Sequence, residues 1–360
     1  MLIPMDPITH FMTGAVLART GFNRKAAYAT LAMTLAAEAP DLDVLWSIKG
    51  PIAVFQHHRG WTHTFLGLPL EAAVIVGVVW LFHRWRTKRA TTRATSHKPP
   101  SAPIRWGLLY GFCLIALLSH LLLDWTNSYG LRPFFPFNPR WYAGSIVFIF
   151  EPVIFAALLI ALIAPALFGL INSEVGVRKP VFRGRAWAIA ALIAIAALYE
   201  WRTLERQDAI HLAEALDVNG APILRATANP YPINPYRWQT IVETPQYYQL
   251  ATVDTRTNTV TTSPQSDIFY KPPTTLATLV AKRTWLGDVY LDWSSYPLVT
   301  DIGTTGTADD SLTTVTFTDL RFLYDAAFLS GREHPPLSGA VVLNPDRRVV
   351  RMEMDGRSQH

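Results

Sequence analysis

The sequence predicts a mainly α, polytopic helical membrane domain over residues 1–200, followed by a small β-rich extramembrane domain over residues 201–360. Apolar windows of spanning length fill the first half, and the basic residues there cluster in two loops beside apolar segments. Beyond Trp201 the chain turns to short Thr-, Val- and Tyr-rich runs punctuated by Pro, Gly and Asn. The mean hydropathy of +0.18 averages over both parts and describes neither. The single cysteine, Cys113, lies inside an apolar segment, which excludes disulfides and cysteine-based zinc sites. The pI of about 9.3 is accounted for by loops beside spans, so no nucleic-acid partner is expected. Met1 to Pro7 has no basic stretch leading into a long apolar core, and no cleaved signal peptide is expected.

From Ile8 to Ala39 two short helical stretches meet at Gly21-Phe22-Asn23, where glycine and asparagine favour a turn. Each is too short to cross a bilayer, which suggests a half-sunk hairpin with Arg19, Arg24 and Lys25 near its tip. Pro40 stops the second stretch, and the hairpin brings His10 close to Asp41 and Asp43. Residues 44–63 form a connector that contains His57, His58 and His63. About four spans follow. The first runs from Thr64 to Phe82 and enters a loop, His83 to Arg105, with Arg84, Arg86, Lys88, Arg89, Arg93, Lys98 and Arg105 and no acidic residue. That loop is expected on the cytoplasmic side.

The second span, Ile104 to about Leu123, then runs outward and delivers His120 and Asp124 to the outer side. Residues 125–144, with Trp125, Pro133, Pro136, Pro139 and Trp141, suit an ordered loop among the headgroups. A third span, Ser145 to Leu170, returns inward to Arg178, Lys179, Arg183 and Arg185, and a short fourth, Ala186 to Tyr199, leads out again. His58 and His63 therefore precede an inward span while His120 and Asp124 end an outward one. All four fall on one face of the membrane. After Trp201 come a polar helix (Arg202 to Leu216), strand-like runs at Trp238–Glu243, Tyr247–Val253 and Leu312–Phe317, and a closing hairpin from Ala340 to Met352.

His120 and Asp124 are four apart, hence on one helix face, and ionisable groups in an apolar helix are functional suspects by default. A divalent metal is the expected partner, because imidazoles and carboxylates recur on the same side. The candidate ligands are His10, Asp41, His58, His63, His120 and Asp124, with Asp43 beside them, enough for one or two ions. Asp43, Arg59 and Glu151 are the candidate catalytic groups; Thr9, Thr62 and Asn127 are candidate supporting donors. Glu151 is expected about six residues inside the third span, beside Pro152, as a ligand, a base, or a partner for Arg132 or Arg140. Asp41 and Asp43 have a competing reading as caps of the following segment. His57, His83, His97 and His211 are assigned no role.

Four ordered motifs now stand together: Asp6-Pro7-Ile8-Thr9-His10, Pro40-Asp41-Leu42-Asp43, His58-Arg59-Gly60-Trp61-Thr62-His63, and Ser119-His120-Leu121-Leu122-Leu123-Asp124 with Asn127, Tyr129 and Gly130 after it. In these the N-terminal half resembles the YdjM-like family of bacterial inner-membrane, metal-dependent hydrolases. The resemblance implies a membrane-bound hydrolase with zinc as the metal. His120 and Asp124 also match the H-x-x-x-D element of the zinc phospholipase C and single-strand nuclease group. The chain lacks that group's later H-x-x-x-E element and its exposed amino-terminal tryptophan.

The function expected is hydrolysis of an ester or phosphoester by metal-activated water, at the outer interface of the inner membrane. Trp61, Trp125, Trp141 and Tyr142 at headgroup level favour a lipid or lipid-linked substrate. The alternative is a non-enzymatic membrane protein with a structural metal site and a partner-binding outer domain.

Overall fold

The computed structural model describes residues 7–92, 102–174, 184–216, 220–263, 265–306, 311–324 and 334–359. Its helices, in chain order, are α1 (Pro7–Leu17), α2 (Ala29–Glu38), α3 (Pro51–His57), α4 (Leu68–Thr92), α5 (Trp106–Thr126), α6 (Pro152–Glu174), α7 (Arg185–Glu214), α8 (Leu276–Lys282) and α9 (Trp285–Trp293). The strands are β1 (Arg225–Pro230), β2 (Arg237–Glu243), β3 (Tyr247–Asp254), β4 (Thr259–Thr261), β5 (Ile268–Tyr270), β6 (Pro297–Thr305), β7 (Leu312–Asp319), β8 (Gly339–Leu343), β9 (Val349–Met354) and β10 (Arg357–Ser358). The chain forms two compact units. One contains the hairpin through Asp43 and Arg59–Trp201; the other contains Val44–His58 and Arg202–His360.

In the first unit α1 and α2 form the expected hairpin, turning through Ala18–Phe22 with Gly21 at φ 143°, a backbone state that glycine adopts without strain. Helix α2 packs against both α1 and α5. The α1–α2 seam is so close that a Cβ on Gly14 would meet the Met33 carbonyl oxygen at 2.5 Å. Ala18, Ala29, Ala32, Ala36 and Ala37 join Cys113, Ala116 and Leu117 in one core. Small residues let helix backbones approach where lipid supplies no hydrophobic drive. The consequence is positional: His10 on α1, Ala37 on α2 and His120 on α5 meet at one end of the seam.

Among the described residues, three helices are long and apolar enough to cross a membrane: α4 over Leu68–Arg89, α5, and α7; α6 supplies a shorter apolar stretch, Pro152–Phe168. The third predicted span needs correction at its start. The helix begins at Pro152, not Ser145, because proline has no N–H to give and its fixed φ suits the first helical position. Glu151 therefore stands just before α6, where its Oε1 accepts a bond of 3.4 Å from the Val153 N–H. The helix that carries the fourth predicted span is longer than that span. It continues unbroken for 30 residues and absorbs most of the predicted polar helix, since no Gly or Pro interrupts Arg185–Glu214. The basic residues Arg93, Lys98, Arg178, Lys179 and Arg183, and Asp6 of the first motif, lie outside the described residues.

Pro165, inside α6, cannot donate to the Ala161 carbonyl four residues back. Arg19 answers for it: Nη1 lies 3.5 Å from the Ala161 oxygen and donates to that of Leu162 at 2.7 Å. A freed carbonyl in an apolar bundle needs such a donor.

The second unit holds two antiparallel sheets, ordered β1-β2-β3-β4 with β5 also on β3, and β10-β9-β8-β7-β6. The strands expected at Trp238–Glu243, Tyr247–Val253 and Leu312–Phe317 are β2, β3 and β7, and the closing hairpin is β8–β9. Helices α8 and α9 carry their own start signals. Thr275 and Thr278 form a reciprocal capping box, and Thr284 accepts from the Gly287 N–H. Helix α3 packs on α9 and β9, with Phe55 set against Tyr290 and Trp293.

Candidate metal centre

Each candidate ligand is positioned by local structure with a physical cause. His120 and Asp124 lie one turn apart on α5. Asp41 and Asp43 lie in the tight helical turns Ala39–Lys49, directly after Pro40 near their start. His63 ends a single turn, Trp61–His63, whose approach passes through Arg59 at φ 54°.

Four side chains converge: Asp41, His63, His120 and Asp124, with one donor atom from each lying within 4.8 Å of all the others. His63 Nε2 is 3.1 Å from His120 Nε2 and 3.1 Å from Asp124 Oδ2. His120 Nε2 is 3.4 Å from Asp124 Oδ2, and Asp41 Oδ1 is 3.6 Å from both imidazole Nε2 atoms. Metal–ligand bonds of about 2.0–2.1 Å in a tetrahedral shell place ligand atoms roughly 3.3 Å apart. The observed spacings straddle that value. The two histidines and Asp124 are fully buried, and Asp41 is one-tenth exposed. Asp41 Oδ2 has no hydrogen-bond donor among the described residues, and Asp124 Oδ2 faces the two imidazole Nε2 atoms. A buried carboxylate oxygen without a donor is costly unless a cation meets it.

The surrounding groups set the direction of each ligand. His120 Nδ1 lies 2.7 Å from the Ala37 carbonyl oxygen, which can only accept. The ring proton is therefore on Nδ1, and the Nε2 lone pair faces the cluster. His63 Nδ1 faces Thr62 Oγ1 at 3.0 Å and Asp43 Oδ2 at 3.6 Å. Asp43 Oδ2 also accepts from the Arg59 backbone N–H at 2.8 Å. Arg59, 1% exposed, donates from Nη2 to Asp124 Oδ1 at 2.8 Å and from Nη1 to the Gly130 carbonyl at 2.8 Å and Asn127 Oδ1 at 3.2 Å. Its guanidinium also lies over the Tyr129 ring. Asp124 is thus divided: Oδ1 belongs to Arg59, and Oδ2 faces the other ligands.

The remaining predicted residues fall outside that convergence. His10 is fully buried, its ring stacked on His120 at 3.9 Å, with Nε2 3.5 Å from Asp124 Oδ1. It stands beside the four. His58 closes α3, its N–H donating to the Val54 carbonyl at 2.8 Å, and Glu151 caps α6. Asp43 and Arg59, expected in catalysis, each lie against a member of the cluster: Asp43 Oδ2 is 3.6 Å from His63 Nδ1, and Arg59 pairs with Asp124. The Ala37 and Gly130 carbonyls and the Tyr129 ring also contact the site residues; Tyr129 and Gly130 stand in the fourth motif, whereas Ala37 lies in none.

The field of the cluster shows in His63. Burial alone would lower its pKa, but hydrogen bonds to Asp124 and Asp41 and the charge of Asp43 outweigh burial and push it up to about 10. A proton is the cation this cluster draws when no metal competes. A metal ion bound there would have to displace it, so apparent affinity is expected to fall about tenfold for each pH unit lowered below about 10, with close to one proton released from His63 per ion. Calorimetric titration at about pH 7 and 9, in buffers of different ionisation enthalpy, reads both quantities. Affinity independent of pH across that window would contradict the assignment.

The chain matches the YdjM inner membrane protein family over residues 5–209 and belongs to that family. It is similar to the uncharacterized protein YfhP of Bacillus subtilis (strain 168), with 27% identity over 166 residues, or 44% of this chain. The chain spans 45% of that relative's length. No solved structure matches. Family membership and the three apolar helices place the chain in a membrane.

Proposed function

We propose that this YdjM-family protein is a membrane-bound, metal-dependent hydrolase acting on an ester or phosphoester of a lipid or lipid-linked substrate. The observation that carries the reading is the convergence of Asp41, His63, His120 and Asp124 at metal-ligand spacing, with the His120 tautomer fixed by Ala37. Two imidazoles and two carboxylates suit zinc. When bound, such an ion lowers the pKa of water toward neutrality and polarises an acyl or phosphoryl oxygen. The chain's own groups hold the ligands: Asp43 aligns His63, and Arg59 fixes Asp124.

The lipid substrate is supported by what flanks the ligands in sequence. Ile8 and Phe11 beside His10, Leu42 beside Asp41, and Trp61 close to His63 are each more than half exposed. Exposed apolar side chains next to the ligands in sequence suit an amphipathic substrate held at the interface. The extracytoplasmic side is supported by charge: Arg84, Arg86, Lys88 and Arg89 lie at the end of α4 opposite His63.

A structural metal site has one observation in its favour. Four protein donors complete a tetrahedral shell, as structural zinc sites do, and of the four only Asp41 reaches the surface at all. The full chain in detergent, loaded with zinc and given phospholipid and simple phosphoester substrates, separates the readings. Zinc-dependent turnover that disappears in His120→Ala supports the hydrolase. Wild-type protein that binds zinc yet turns over neither substrate class is the structural case.

A further inference from the structure

The connector between the two ligand-bearing stretches belongs to the same compact unit as the C-terminal domain. It starts at Val44, directly after Asp43, and ends at His58, directly before Arg59 and four residues before Thr62-His63. Its first part exposes Val44, Leu45, Trp46 and Ile48, while Ile52, Ala53, Val54 and Phe55 are buried.

Helix α3 begins without a cap of its own. Gly50 precedes it at φ 106° and offers no side chain, which leaves the first-turn N–H groups without local acceptors. Gln359, at the far end of the sequence, takes that place. Its Oε1 accepts from the Ile52 N–H at 3.0 Å, and its Nε2 donates to the Lys49 carbonyl at 2.9 Å. One amide thus binds both sides of the Gly50 bend. Gln359 is itself fixed by its backbone N–H, which donates to the Met352 carbonyl at 2.8 Å beside β10. A Cβ on Gly50 would meet the Gln359 amide, so a side chain there would have to push that amide aside. Two further holds follow along α3. Phe55 is set against Tyr290 at 5.8 Å and Trp293 at 5.0 Å, and Trp285 Nε1 donates to Gln56 Oε1 at 3.0 Å.

We propose that the C-terminal domain is a positioning clamp for the metal centre: by capping and burying the connector through Gln359, Trp285, Tyr290 and Trp293, it fixes the segment whose two ends carry Asp41 and Asp43 on one side and Arg59 and His63 on the other. The proposal rests on the metal reading of that cluster. Its physical basis is loop entropy. An unheld connector would have to be ordered each time the ligands on its two sides gather round an ion, whereas a clamped one is ordered beforehand. Gln359 is a positioning residue in this scheme, acting through Lys49 and Ile52.

Because coupling is reciprocal, the ion must tighten the clamp as much as the clamp favours the ion. The test uses full-length protein in detergent. Removal of a helix cap of this kind corresponds to about a fivefold change in an equilibrium constant. Gln359→Ala is therefore expected to weaken zinc binding about fivefold, and Phe55→Leu to weaken it as well, while Gln359→Glu, which keeps the acceptor for Ile52, recovers part of the loss. In wild type, saturating zinc is expected to slow hydrogen exchange at the Ile52 amide by a similar factor. The exchange measurement needs no variant, so a poorly folding substitution does not blunt the test. Zinc affinities within twofold of wild type in both variants, with Ile52 exchange indifferent to zinc, would overturn the clamp and leave the metal site standing. Wild-type protein that binds no zinc overturns both, which keeps the two failures distinct.

Discussion

Asp124→Asn is expected to abolish metal binding and also to lower stability by about 3–5 kcal/mol, the cost of leaving a buried charge without its partner. The two effects have separate causes on the two oxygens. Oδ2 faces His63 and His120, where an asparagine amide is a poor ligand. Oδ1 neutralises the Arg59 guanidinium, which is buried, permanently charged and unable to reach water. His120→Ala loses a ligand with no stranded charge, so it should lose the ion at a smaller cost in stability. Chemical denaturation followed beside metal content distinguishes them. An Asp124→Asn protein as stable as His120→Ala would refute the division of labour within Asp124.

Arg59→Leu carries the second large effect, again about 3–5 kcal/mol in metal-free protein, because Asp124 is left buried without its cation. The Asn127 side-chain oxygen and the Gly130 carbonyl lose a shared donor in the same step. The deficit should shrink when zinc is present, since the ion then supplies positive charge to Asp124 and stabilises the folded state by its binding. Asp124→Asn combined with Arg59→Leu should cost clearly less than the sum of the single changes, as expected for two members of one ion pair. Additive losses, or an Arg59→Leu deficit unchanged by zinc, would mean that Arg59 has a different role.

Much of the candidate site was legible because its residues lie in short local patterns. The spacing of His120 and Asp124 places both on one helix face in any α-helix, and Pro40 stops α2 where Asp41 and Asp43 follow. The supporting groups were less legible. Ala37 fixes the His120 tautomer through its backbone carbonyl, and a carbonyl leaves no mark in a sequence. The residue types of Asp43 and Arg59 permit catalytic chemistry, but that they lie against His63 and Asp124 is a matter of geometry that sequence does not carry.

The same limit applies to the fold. Hydropathy runs unbroken through Ile146, Val147 and Phe148, and so suggested a helix starting at Ser145; the backbone signal was Pro152. At Trp201 the composition changes but the helix does not, since nothing there breaks it. Helices α8 and α9, of 7 and 9 residues, are too short for apolar periodicity to reveal, although Thr275 and Thr284 mark their starts. Linear order also misleads for Val44–His58, which lies among the N-terminal motifs and packs with the C-terminal unit.

The metal centre is tested most directly by the metal content of the full-length protein after equilibration with zinc and removal of free ion, compared with His120→Ala treated in the same way. At least one tightly held zinc per chain is expected in wild type, and its loss in the variant. Wild-type protein that emerges without metal, or a variant that retains as much as wild type, would contradict the assignment of Asp41, His63, His120 and Asp124 as a metal centre.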